Sequence, residues 1–275
     1  MTSFANISRR VENGFDVIGL FNTEIAVETV PALGARLLSL RDLVTGREWL
    51  WRPADHRGLF ASRAGDAFES SPLAGADECL PTIAPCRLDR RDLPDHGECW
   101  AAAWTLASPS EHRAKIQTTL ELPVSPLRLE RVLALHHRTA RLDYTLTNLS
   151  DAPQPWLYAF HALFPIEPGD RVELPGGALP PPCPENEYAK AFVPATLPRA
   201  VLHRANGSAL KIEWNGAALP WLAVFITRGG WNHHRHLALE PTNADADTPL
   251  GKTVPHLPPR GVIHWSVRLE PVVRR

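Results

Sequence analysis

The chain has 275 residues, with 27 prolines and 17 glycines, too many breaks for a fold built mainly of long helices. Its 29 basic and 30 acidic side chains leave a net charge of −1, and without a long basic run it lacks the electrostatic footprint of a nucleic-acid binder. The length would allow two domains, but all-β units of this size commonly form one; with no internal repeat and no shift in composition, a single all-β domain over residues 1–275 is expected.

Alternation with period two, which puts every second side chain on one face of a strand, recurs along the chain. In order, strands are expected at Asp16 to Phe21, Glu24 to Thr29, Arg36 to Leu40, Trp100 to Leu106 and Lys115 to Leu122. Leu127 to Leu135 and Leu142 to Leu146 follow as a hairpin turning across His136 to Ala140. Further strands are expected at Leu157 to Leu163, Leu210 to Trp214, Leu222 to Thr227, Leu237 to Glu240 and Ile263 to Leu269. Asn13-Gly14, Asn206-Gly207 and Asn215-Gly216 are tight-turn signals between such runs, because Asn and Gly tolerate positive φ. Arg52 to Pro85, Pro175 to Pro198 and Pro241 to Arg260 read as three long loops, of the kind that carry function in a compact domain.

The opening residues MTSFANISRRVENGF hold no apolar stretch of signal-peptide length, and no apolar run approaches a membrane span. A soluble cytoplasmic protein, monomeric or homodimeric and without membrane or nucleic-acid partners, is the expectation. Cys79, Cys86, Cys99 and Cys183 form no CxxC pair and read as small apolar residues, although Cys79, Cys86, Cys99 and His96 could together be weighed as a zinc set.

No phosphate-binding glycine loop and no serine-hydrolase elbow occurs. What remains is histidine and carboxylate, the minimal kit for moving protons near neutral pH. His96 lies at a strand entry in Asp95-His96-Gly97-Glu98-Cys99-Trp100; His161 interrupts the apolar run Tyr158 to Pro165; Glu240 closes the apolar run Leu237 to Leu239, and Pro241 biases it toward extended geometry at the strand's end. His234, His236 and Glu240 also share one parity, so an unbroken strand would put all three on one face as in a cupin-type metal site, with His264 as a fourth ligand.

Several segments resemble the galactose mutarotase (aldose 1-epimerase) superfamily, scattered over nearly the whole chain but in a shared order. They are Val30 to Leu40 with Thr45 to Trp51, Gly75 to Ile83, Asp95 to Trp100, Phe160 to Phe164 with Pro168-Gly169-Asp170, Leu239 to Thr242, and Pro258 to Leu269. The resemblance implies a large antiparallel β-sandwich and a cofactor-free, metal-free enzyme that interconverts the α and β anomers of a hexose or hexose phosphate. It makes Glu240 the general base at the anomeric hydroxyl, His161 the general acid at the ring oxygen and His96 a group that orients the sugar. Further sugar contacts are placed at Arg63, with Arg235 or Arg87 as alternatives, at Asp77 and Glu78, and at the aromatic residues Trp100, Phe160 and Trp231. The best-known galactose enzymes carry glutamine after the catalytic glutamate, and Pro241 in that place argues against galactose itself. A carbohydrate-binding protein without catalysis and the cupin-like metal enzyme stand as alternatives.

Overall fold

The computed structural model describes residues 5–54, 56, 58–71, 74–107 and 114–273. Two antiparallel sheets carry the chain. The nine-stranded sheet runs in the order Asn6–Glu12, Phe15–Phe21, Ile25–Val30, Arg36–Asp42, Ala76–Cys79, Ala159–Pro165, Arg235–Thr242, Trp221–Arg228, Tyr188–Pro194. The eight-stranded sheet runs Arg171–Glu173, Arg199–His203, Ser208–Trp214, Val262–Val273, Thr139–Asn148, Leu127–His136, Lys115–Glu121, Thr105–Leu106. The expected all-β, large antiparallel β-sandwich is therefore what forms. Among the described residues no helix is long and apolar enough to cross a membrane.

The two inner faces share one apolar core. Leu20, Leu37, Phe160, Phe164, Leu222 and Leu239 come from the first sheet and Leu129, Leu142, Leu210, Ile212, Val267 and Leu269 from the second. On the second sheet the outer face meets water, so its strands alternate: in Leu127–His136 every other position from Leu127 to Leu133 is buried. Along the middle of the first sheet, both faces are covered. Ala159–Pro165 is buried at six successive positions, with Phe160, Ala162 and Phe164 in the inter-sheet core. Leu163 packs instead on the opposite side with Trp51, Phe68, Trp100 and Ala238. That doubly covered stretch builds the cleft.

Three expectations need correction. Trp100 to Leu106 is not a strand; only Thr105–Leu106 pairs, because the preceding segment turns at Gly97 (φ 76°) and is tied to another loop by the amide of Gly34 donating to the carbonyl of Ala102 (2.8 Å). The stretch 175–198 is not all loop, since Tyr188–Pro194 forms the edge of the large sheet against Trp221–Arg228. The stretch 52–85 likewise contains the strand Ala76–Cys79, while residues 55, 57, 72 and 73 of it lie outside the described residues.

Candidate active site

A cleft of about 220 Å³ opens on the outer face of the large sheet. Its floor follows from strand register. His161 pairs with Asp77 on one side. On the other, the register that joins Ala159 to Thr242 and Leu163 to Ala238 sets Glu240 across from His161. The next strands add Phe225 and Lys190, which are paired with each other. Between Ala159 and Leu163 the ladder to the Glu240 strand is interrupted. Pro241, which has no N–H to give, lies at this gap and continues the strand instead of ending it, so Glu240 stands inside a strand, not at its tip.

The two groups marked out by the sequence meet here. His161 Nε2 lies 3.9 Å from Glu240 Oε1, with side chains 9% and 2% exposed. His161 Nδ1, Glu240 Oε2 and His236 Nδ1 are buried without a hydrogen-bond partner among the described residues. His96 lines the same cleft from its loop. It has a positive φ of 55°, uncommon for a residue other than glycine, and its ring is held by a stack on Phe68 (4.0 Å, 15°) and by Nδ1 bonded to Asp95 Oδ1 (2.8 Å). The rings of His96 and His161 are 4.9 Å apart. Phe68, Phe225 and Trp231 give the walls an aromatic lining.

This arrangement rests on an architecture seen in solved structures. The sequence matches no protein-family model and no curated protein. A galactose mutarotase-like protein from Clostridium acetobutylicum superposes with a TM-score of 0.72 at 13% identity, covering 98% of this chain and 99% of that one. A provisionally assigned aldose 1-epimerase of Escherichia coli K12 gives 0.69 at 15% identity, with coverage of 92% and 97%. A similarly assigned protein of Klebsiella pneumoniae gives 0.73 at 15% identity, with coverage of 94% and 80%. The chain has the galactose mutarotase-like fold.

Within this mutarotase-like sandwich, burial sets the electrostatics of the cleft. Removal from water disfavours the charged form of each group. It pushes the Glu240 carboxyl up, against the pull of Lys190 and His96, and drives the His161 imidazole well below its usual range, with His96 and His236 adding repulsion. His236 falls to about 3, by burial and then by His234. Burial also works against the Lys190 ammonium, but Glu240 and Asp247 outweigh it and raise its pKa; Lys190 Nζ donates to Asp247 Oδ1. Burial would raise Asp95 too, but its hydrogen bond and charge interaction with His96 and the amide of Phe68 bring it below the ordinary carboxylate value.

Not every residue singled out from the sequence reaches the cleft. Glu78 points the other way, into the inter-sheet core, where it accepts hydrogen bonds from Arg131 (3.0 Å), Tyr144 (2.7 Å) and Tyr158 (2.6 Å). Phe160 is in that core as well. Asp77 shares the outer face with His161 but is sealed beneath it, 1% exposed and bonded to Arg36 Nε (2.8 Å). Trp100 is buried behind Phe68, its indole N–H donating to the carbonyl of Asp95 (2.8 Å). Arg63 is exposed, and its backbone amide bonds Asp66 (2.8 Å). Arg235 is exposed and paired with Glu185 (2.7 Å), and Arg87 faces Asp92 across an exposed hairpin (3.8 Å). None of the three arginines lines the cleft.

The proposed fourth metal ligand is also elsewhere: His264 is exposed on the other sheet, bonded to Thr145 (2.9 Å). Among the described residues no three His, Cys, Asp or Glu side chains group around a common point suited to a metal ion. Cys79 and Cys99 pack in different apolar clusters. Lys190, Asp247, Phe68 and Phe225 were not anticipated. For Lys190 the signal was present, since Tyr188, Lys190 and Phe192 alternate with Ala189, Ala191 and Val193, but the surrounding prolines masked it.

Proposed function

We propose that the protein is an aldose 1-epimerase acting on a hexose. The observation that carries this reading is the pair His161 Nε2 and Glu240 Oε1, 3.9 Å apart on the floor of a cleft with aromatic walls. Opening a cyclic hemiacetal requires a proton to leave the anomeric oxygen and another to reach the ring oxygen. Both oxygens are bonded to one carbon, so an acid and a base set this close can serve both. A pyranose would lay its C–H face on Phe68, Phe225 or Trp231 and turn its hydroxyls to the polar groups of the cleft.

The proton count closes within the pair. Facing the closed ring, His161 carries the proton and Glu240 is a carboxylate. Glu240 takes the proton of the anomeric hydroxyl, the bond from the anomeric carbon to the ring oxygen breaks, and His161 protonates that oxygen. The open aldehyde then faces neutral imidazole and neutral carboxylic acid. After rotation about the bond to the anomeric carbon, His161 takes back the proton of the hydroxyl that attacks the carbonyl, Glu240 returns its proton to the carbonyl oxygen, and the ring closes on the opposite face. Burial favours the neutral pair, as the opposite pKa displacements of Glu240 and His161 indicate, and so stabilises the open-chain stage. A positioned acid or base of this kind contributes on the order of 10² to 10⁴ in rate.

The test is anomer exchange in freshly dissolved α-glucose, α-galactose and their 6-phosphates, followed by NMR or polarimetry. Acceleration of at least one sugar, lost in Glu240→Gln while binding persists, is the expected outcome. Wild-type protein that leaves every sugar at its spontaneous rate ends the proposal; if it nevertheless binds sugar, the carbohydrate-binding alternative takes its place.

A further inference from the structure

The sugar-orienting histidine does not stand alone. Asp95, which precedes His96, uses every oxygen it has. Oδ1 takes the Nδ1–H of His96 at 2.8 Å, Oδ2 accepts the backbone amide of Phe68 at 2.9 Å, and its carbonyl accepts the indole N–H of Trp100 at 2.8 Å. Phe68 in turn stacks on His96 at 4.0 Å and meets His161 edge-on at 5.1 Å. One carboxylate therefore fixes the imidazole and also the aromatic ring packed against it.

We propose that Asp95 is a positioning residue, holding His96 as the tautomer protonated on Nδ1 so that Nε2 is the nitrogen that meets the sugar. The proposal rests on the sugar-processing reading of the cleft. A neutral imidazole has one donor nitrogen and one acceptor nitrogen, and a carboxylate can only accept, so the Asp95 bond decides which is which. Nε2 is left with its lone pair to accept a sugar hydroxyl. The other titratable groups near this ring are His161, Glu240 and the buried Asp77. Asp77 is committed to Arg36, and none is recorded as a partner for the nitrogens of His96. The carboxylate supplies orientation without surrendering an oxygen to substrate.

Long-range ¹H–¹⁵N NMR of the wild-type protein reports the tautomer directly and needs no sugar. The expected spectrum has His96 protonated on Nδ1; protonation on Nε2 alone overturns the proposal. Asp95→Ala is expected to raise KM about tenfold, the scale of one lost charge-assisted hydrogen bond, to leave kcat within about threefold, and to mix the His96 tautomers. Asp95→Asn, which keeps an acceptor for Nδ1–H, is expected to restore most of KM. Because Asp95→Ala also frees the Phe68 amide, His96→Ala is measured beside it. Binding equal to wild type in either variant overturns the proposal. If wild-type protein exchanges no anomers, the proposed activity fails; the tautomer spectrum and the sugar-binding constants of the variants still decide the role of Asp95.

Discussion

Glu78 offers the sharpest separation of architecture from chemistry, because it sits beside Asp77 in sequence and faces the opposite side of the sheet. Changing Glu78→Gln preserves shape and removes charge. Arg131, 1% exposed, then loses its direct ion pair, keeping Thr29 Oγ1 (3.2 Å), the carbonyl of Ala35, the nearby ring of Trp104 and the more distant charge of Asp77. Breaking one side of a buried ion pair costs about 3–5 kcal/mol, and the surviving acceptors on Arg131 place the expectation near about 3. For a chain of 275 residues, unfolding entropy of about 2.1 cal/mol/K per residue turns this into a fall in Tm of about 5 °C. Calorimetry at pH 7 measures it, and the sugar KM is expected to stay within about twofold because the side chain lies between the sheets. A melting loss below about 1 °C together with a tenfold rise in KM would refute this reasoning and return Glu78 to the sugar site.

His161→Ala is expected to lower kcat by about 10² to 10⁴ with little change in Tm; a smaller loss would mean that the ring oxygen receives its proton from elsewhere. The activity of the pair requires one shared proton, so kcat/KM against pH is expected to be a bell. Its acid limb lies below the ordinary histidine value of 6.5, because His161 gives up its proton early, and its alkaline limb lies above the ordinary carboxylate value of 4.5, because Glu240 holds its proton late. Since Lys190 pulls Glu240 down, Lys190→Met is expected to move the alkaline limb to higher pH and Lys190→Arg to bring it back; an unmoved limb would mean that Lys190 does not act on Glu240. Trp231→Ala is expected to raise KM by about tenfold through loss of a stacking face, with kcat unchanged, read from the same exchange assay.

Much of the sandwich was legible because one face of the second sheet meets water. Strands such as Leu127–His136 and Val262–Val273 write that asymmetry into the sequence as alternation, and their register follows from keeping apolar residues inward. The large sheet is covered on both faces near its centre, so Ala159–Pro165 and Arg235–Thr242 read as apolar runs with few polar interruptions. An interrupting residue announces itself, as His161 and Glu240 did, but its face does not. Edge strand Tyr188–Pro194 was lost for another reason: proline-rich flanks are the signature of a loop, and an edge strand tolerates them.

Asp77 and Glu78 show what remained out of reach. Both are charged residues in a buried segment, and local sequence ranks them equally. Their fates are decided by pairing across strands distant in the chain. The register that sets Asp77 against His161 puts Glu78 against Phe160, and Phe160 belongs to the inter-sheet core. Glu78 must therefore go inward with it, where Arg131, Tyr144 and Tyr158 receive its charge. The same parity carries Glu240 to the cleft side through the ladder anchored at Ala159 and Thr242. A slip of one residue in that ladder would turn Glu240 into the core and Pro241 toward the cleft. The proposed proton-transfer pair thus depends on two long-range registers, each fixed by apolar residues far from the site, and neither His161 nor Glu240 could be placed opposite the other from its own neighbours.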